Sequence, residues 1–166
     1  MFLLSLMDNG RMKSVSASTG ASKRRKKGGA VADRIEFGKG DLPWQPRGAE
    51  EPVVLHHYDM PLAGLVVQHG TSFFFWCIKG EVTQATLWGY TPVSDQERHE
   101  FEAEPRDQIL RRLFSTTRPV TVGFGVEGRG IQKWTDIESG SSDEIESRAA
   151  ELLDLAASEL RLLDSV

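Results

Sequence analysis

Two glycine dipeptides near the middle of the chain, His69-Gly70 and Lys79-Gly80, restrict its fold more than any other feature. Each lies between apolar runs. Glycine accepts a positive φ without steric cost, so each dipeptide suits a two-residue hairpin turn. The runs around them read as strands over Leu62–Gln68, Thr71–Ile78 and Glu81–Thr91, the middle one holding Phe73-Phe74-Phe75-Trp76-Cys77-Ile78. Strands joined by such short turns run antiparallel. An earlier strand opens at Val53-Val54-Leu55 and runs to Tyr58, with a turn at Asp59-Met60-Pro61.

The period then changes. Ser94 followed by Glu97 fits a capping box and predicts a short helix. Pro105 suits the first turn of a second helix, with Ile109, Leu110, Leu113 and Phe114 on one face. Pro119 introduces a strand over Val120–Val126, Gly128 and Gly130 flank a turn, and Ile131–Ile137 forms a sixth strand. Gly140 breaks the pattern. A last helix follows, capped by Ser141 or Ser142, with Asp143, Glu144 and Glu146 in its first turn, where acids complement the helix dipole. Its apolar stripe is Ile145, Ala149, Leu152, Leu153, Ala156, Leu160 and Leu163. The expected order is β-β-β-β-α-α-β-β-α: an α+β domain with an antiparallel sheet of about six strands, strongly curled or open, and helices packed on one face.

Hairpin registers assign the faces. Two-residue turns pair Leu65 with Phe74, Ala63 with Trp76 and Phe74 with Ala85. Ala63, Leu65, Phe74, Trp76, Ile78, Ala85 and Leu87 then share a face that suits the helices. The opposite face receives Leu62, Val66, Phe73, Phe75, Cys77, Val82, Trp88 and Tyr90, with Gln84 and Thr86. A sheet open to water is polar on that side, and this one is aromatic. Its cover is the preceding segment with Trp44, other strands curling over, or another molecule. A large exposed apolar patch marks a contact site, which nominates Phe73, Phe75, Trp88 and Tyr90 as a partner-binding surface.

Charge divides the chain differently. Residues 1–50 hold ten Lys/Arg against five Asp/Glu, and residues 51–166 hold ten against nineteen, a net of −9. The composition of residues 1–34 predicts a disordered basic arm. Glycines and prolines make residues 35–52 a linker, with Trp44 docking on the domain. Residues 53–166 form a single domain large enough to bury a core without disulfides. The lone Cys77 allows no intramolecular disulfide and no multi-cysteine metal site. The apolar run Met1–Met7 is too short for a secretory signal or a membrane span, and Met7 and Met12 are alternative starts. A cytoplasmic location follows as the expectation.

Chemistry-bearing residues are sparse. His56 and His57 are adjacent on a strand and point to opposite faces. His57 and Asp59 share a face, joined at most by His69 or His99, which is short of the donor set that zinc requires. Cys77 in an aromatic strand is a buried structural thiol, not a nucleophile. Asp95, Glu97, Glu100, Glu102 and Glu104 read as a solvated helix face. Gly123, Gly125, Gly128 and Gly130 precede a strand, not the helix a phosphate loop needs, so they mark bulges and a turn.

These residues imply no cofactor and no metal. They favour a small binding or regulatory protein acting through a protein–protein interface, inhibitor- or immunity-like by analogy, whose acidic domain suits a basic partner. Two alternatives stand beside it. One is a nucleic-acid-associated protein anchored without sequence preference by Lys23, Arg24, Arg25, Lys26 and Lys27. The other is an enzyme of unrecognised type using His57, Asp59 and His99.

Overall fold

The computed structural model describes residues 34–80, 85–137 and 141–163. The run Lys23–Lys27, and Val82 and Gln84 of the expected aromatic face, lie outside the described residues, as do the side chains of Leu153, Ala156, Leu160 and Leu163.

Six strands form one antiparallel sheet in sequence order: β1 Val53–Tyr58, β2 Met60–Gln68, β3 Thr71–Gly80, β4 Ala85–Val93, β5 Val120–Val126 and β6 Gly130–Ile137. Three helices, α1 Asp95–Phe101, α2 Arg106–Leu113 and α3 Ser142–Leu163, complete an α+β fold whose sheet stays open. Local chemistry sets the helix starts. Ser94 and Glu97 form the capping box of α1. Pro105 takes the cap position of α2, one residue before its first turn, at φ −65° and ψ 146°. The Ser141 hydroxyl accepts the Glu144 N–H at the start of α3.

Hairpins fix the register. At His69-Gly70 both residues take positive φ, and Gln68 pairs with Thr71, the expected two-residue turn. Leu65 consequently faces Phe74, and Ala63 faces Trp76. The β1–β2 turn is tighter than expected: Tyr58 pairs with Met60, and Asp59 alone turns the chain at φ 52°.

The β3–β4 hairpin departs from expectation. Strand β3 runs through Lys79-Gly80, Gly80 pairs with Thr86, and Phe74 faces Thr91 instead of Ala85. Packing explains the choice. Trp76 lies opposite Gly89, and a Cβ at Gly89 would overlap the Trp76 ring. Thr91 is six residues beyond Ala85, an even offset, so Phe74, Trp76, Ala85 and Leu87 keep the helix-side face and Phe73, Phe75, Cys77, Trp88 and Tyr90 the other.

Both faces are interior. Ala63, Leu65, Phe74, Trp76, Leu87, Val122 and Phe124 pack against Phe101 of α1, Ile109 and Leu113 of α2, and Ile145 and Ala149 of α3. On the other face Val66, Phe73, Phe75, Cys77, Trp88, Tyr90 and Ile131 pack against Ile35 and Phe37, with Trp44 and Ala49 beside them. Strand β5 lies between two covered faces and is buried at all seven positions.

Candidate functional site

The cover of the aromatic face is residues 34–50, here called the strap. Its burial alternates at the start: Ile35 and Phe37 are buried, Arg34 and Glu36 exposed. The Phe37 ring meets the Tyr90 ring edge-on, with centroids 4.8 Å apart. Polar contacts fasten its length. The buried Gln68 amide donates to the carbonyls of Glu36 and Arg47 and accepts the Glu36 N–H, each at 2.8 Å. The Tyr90 hydroxyl donates to the Pro43 carbonyl at 2.9 Å. Asp41 accepts the N–H groups of Gly38 and Arg47 at 2.7 Å. Gly40 N–H donates to the Ile131 carbonyl, and Ile131 N–H donates to the Asp41 carbonyl. Gly130 allows this approach: it sits at φ +67°, and a Cβ there would collide with the Gly40 and Asp41 carbonyls.

Of the covers the sequence allows for the nominated contact surface, the structure shows the preceding segment with Trp44. Phe73, Phe75, Trp88 and Tyr90 are 2%, 0%, 0% and 1% exposed. They offer a partner no surface while the strap is in place. Burial of apolar area is worth roughly 25 cal/mol per Å². A segment carrying Ile35, Phe37 and Trp44 therefore gains more on this face than as a solvated linker.

Coverage is incomplete at one end. Where the strap turns, a cleft of about 530 Å³ remains. Leu42, Pro43 and Trp44 of the strap form one wall; Asp59 and Met60 from the β1–β2 turn form another. Thr86 and Trp88 of β4 and the β5–β6 turn, residues 125–130, complete it. Trp44 meets Trp88 edge-on, with centroids 5.9 Å apart. The Trp88 indole N–H is engaged by the Thr86 hydroxyl at 2.8 Å. The accessible aromatic surface is therefore that of the half-buried Trp44, with Trp88 buried behind it, and polar groups lie around the mouth: exposed Asp59, Glu127 and Arg129. The lining suits an apolar or aromatic group oriented by the polar rim.

The other candidates do not converge. His56, His57, Asp59, His69 and His99 are all exposed, and among the described residues no three His, Cys, Asp or Glu side chains gather as a metal site. The Cys77 thiol is pushed up by burial, against the opposing pull of the Arg106 charge and the Lys79 N–H, which leaves little thiolate at neutral pH. Of the acids expected on a solvated helix face, Glu97 of α1 pairs with Arg118, and Glu100 of α1 and Glu104 beyond its end pair with Arg112. Partial burial of Glu97 resists ionisation. The Arg118 guanidinium and the Ser94 N–H outweigh that cost, so its carboxyl titrates below the ordinary 4.5. Gly128 lies in the β5–β6 turn, and β6 follows directly. Among the described residues, no helix is long and apolar enough to cross a membrane.

Of the cleft residues, the sequence singles out Trp44, Asp59, Thr86 and Trp88, with Gly125, Gly128 and Gly130 as bulges and a turn, and gives Trp44 a docking role. It misses Leu42, Met60, Glu127 and Arg129, which come together only when the strap closes over the sheet. Compared with protein-family models, with curated proteins and with solved structures, the chain matches none.

Proposed function

We propose that this chain is a small binding protein acting through a protein–protein interface, and that the cleft beside the strap receives an apolar or aromatic anchor of the partner. The observation that carries this reading is the half-buried Trp44 ring, backed by the buried Trp88, at an opening in a face that is otherwise covered among the described residues. Anchors of this kind, seated in a pocket and ringed by polar contacts, dominate protein interfaces. The contact extends past the cleft, because Tyr58, 74% exposed, adjoins Asp59 at its rim. The net charge of −9 over residues 51–166 supports a basic partner, captured faster through long-range attraction.

The test is selection of a displayed library of random twelve-residue peptides on the full chain. The expected winners carry an aromatic or aliphatic anchor between Lys or Arg residues. Leu42 is 45% exposed, so Leu42→Arg blocks the mouth without opening the core. The variant should melt like the parent and bind the winners at least tenfold more weakly. No enrichment, or equal binding by both proteins, would contradict the proposal.

A further inference from the structure

Resting on that reading, we infer that the partner docks by adding an extended basic segment along the outer edge of β1, next to the cleft. Strand β1 ends the sheet and pairs only with β2. Among the described residues, no backbone group outside the sheet bonds to it. Its outer N–H and C=O groups therefore form a row that a further strand can satisfy. The two edges of the sheet are unlike. Strand β6 carries Lys133 and Asp136, and Asp136 is bonded to Arg34. Charges of this kind discourage edge pairing.

Strand β1 has the sequence VVLHHY, with no Lys, Arg, Asp, Glu or Pro. Val53, Val54 and Tyr58 are three of the six large apolar side chains left exposed among the described residues. Register shifts between Val54 and His56 and between His56 and His57 interrupt the pairing with β2, and Leu55 packs toward the helix-side core. The strand is thus held from inside while its outer side stays open.

Charge selects the occupant. The uncharged strand is bracketed by exposed acids, Glu50 and Glu51 before it and Asp59 after it. A second copy pairing antiparallel about Leu55 would set Glu51 of one chain opposite Asp59 of the other, a like-charge contact. An extended segment with alternating apolar residues and basic flanks meets the same surface with complementary charge. Such a segment, running off the end of β1 at Tyr58, would reach the cleft rim at Asp59.

Strand addition has a signature that side-chain docking lacks: along an added strand, alternate backbone amides face the edge. The selected peptides are remade twice, N-methylated at the odd or at the even positions. One series should lose binding at least tenfold and the other should keep it, and Val54→Lys should weaken the unmodified peptides on the parent fold. Equal tolerance or equal loss in both series overturns strand addition while leaving the cleft reading intact. A dimer of the free protein in sedimentation that Val54→Lys dissolves would also overturn it, since a second copy would then own the edge. Failure to select any peptide would remove the cleft reading itself.

Discussion

Gln68 shows how much one side chain can organise. It is 2% exposed, and its amide satisfies three backbone groups of the strap at two points eleven residues apart, Glu36 and Arg47. In sequence it reads as a polar residue before a turn, because nothing local marks a glutamine whose partners lie 21 and 32 positions upstream. Gln68→Met keeps the volume and leaves those groups unpaired. An unsatisfied buried group costs about 1–3 kcal/mol, so a loss of roughly 2–3 kcal/mol in urea denaturation is expected. Tyr90→Phe removes one hydrogen bond and should cost less, about 1 kcal/mol. Burial holds the Tyr90 hydroxyl protonated well above the ordinary value of 10, with the Cys77 charge adding to the effect. A raised folded-state pKa stabilises below the unfolded value and loses that contribution above it. Stability should therefore fall as pH rises past about 10, and Tyr90→Phe should flatten the fall.

At the scale of elements, what the sequence revealed followed the range of the forces. The α1 cap was legible because its donors and acceptors lie within four residues. Ser94→Ala should cost about 1 kcal/mol in thermal or chemical denaturation. The depressed pKa of Glu97 makes its contribution present above 4.5 and lost as pH falls through its folded value, so Glu97→Gln should reduce the acid sensitivity of the fold. The His69-Gly70 hairpin was legible for the same local reason. Lys79-Gly80 carried the same signal, yet the fit of Trp76 over Gly89 outweighed it and moved the turn. Turn chemistry is worth little beside a buried tryptophan. The strap was hardest to read. Its prolines and glycines resemble a linker, and its anchors Ile35, Phe37 and Trp44 are spaced irregularly because it follows a surface and not a strand register.

At the scale of the molecule, the two-sided apolarity of β3 and β4 was plain in the sequence, and three layers satisfy it: helices, sheet and strap. The cleft was not legible, since its walls come from the strap, two hairpin ends and β4, and exist only after those layers close. Sealing the aromatic face shifts the search for function from Phe73, Phe75, Trp88 and Tyr90 to the rim that remains: Leu42, Trp44, Asp59 and the open edge of β1. That shift stands on the strap being part of the folded interior. Hydrogen exchange of individual backbone amides tests it directly, because exchange reports the opening of each bonded N–H. The amides of Glu36, bonded to Gln68, and Gly40, bonded to Ile131, should be protected to the same order as those of β2 and β3. Exchange of both at the rate of an unstructured chain, with the sheet still protected, would mean that the strap lifts freely and that the aromatic face is a surface after all.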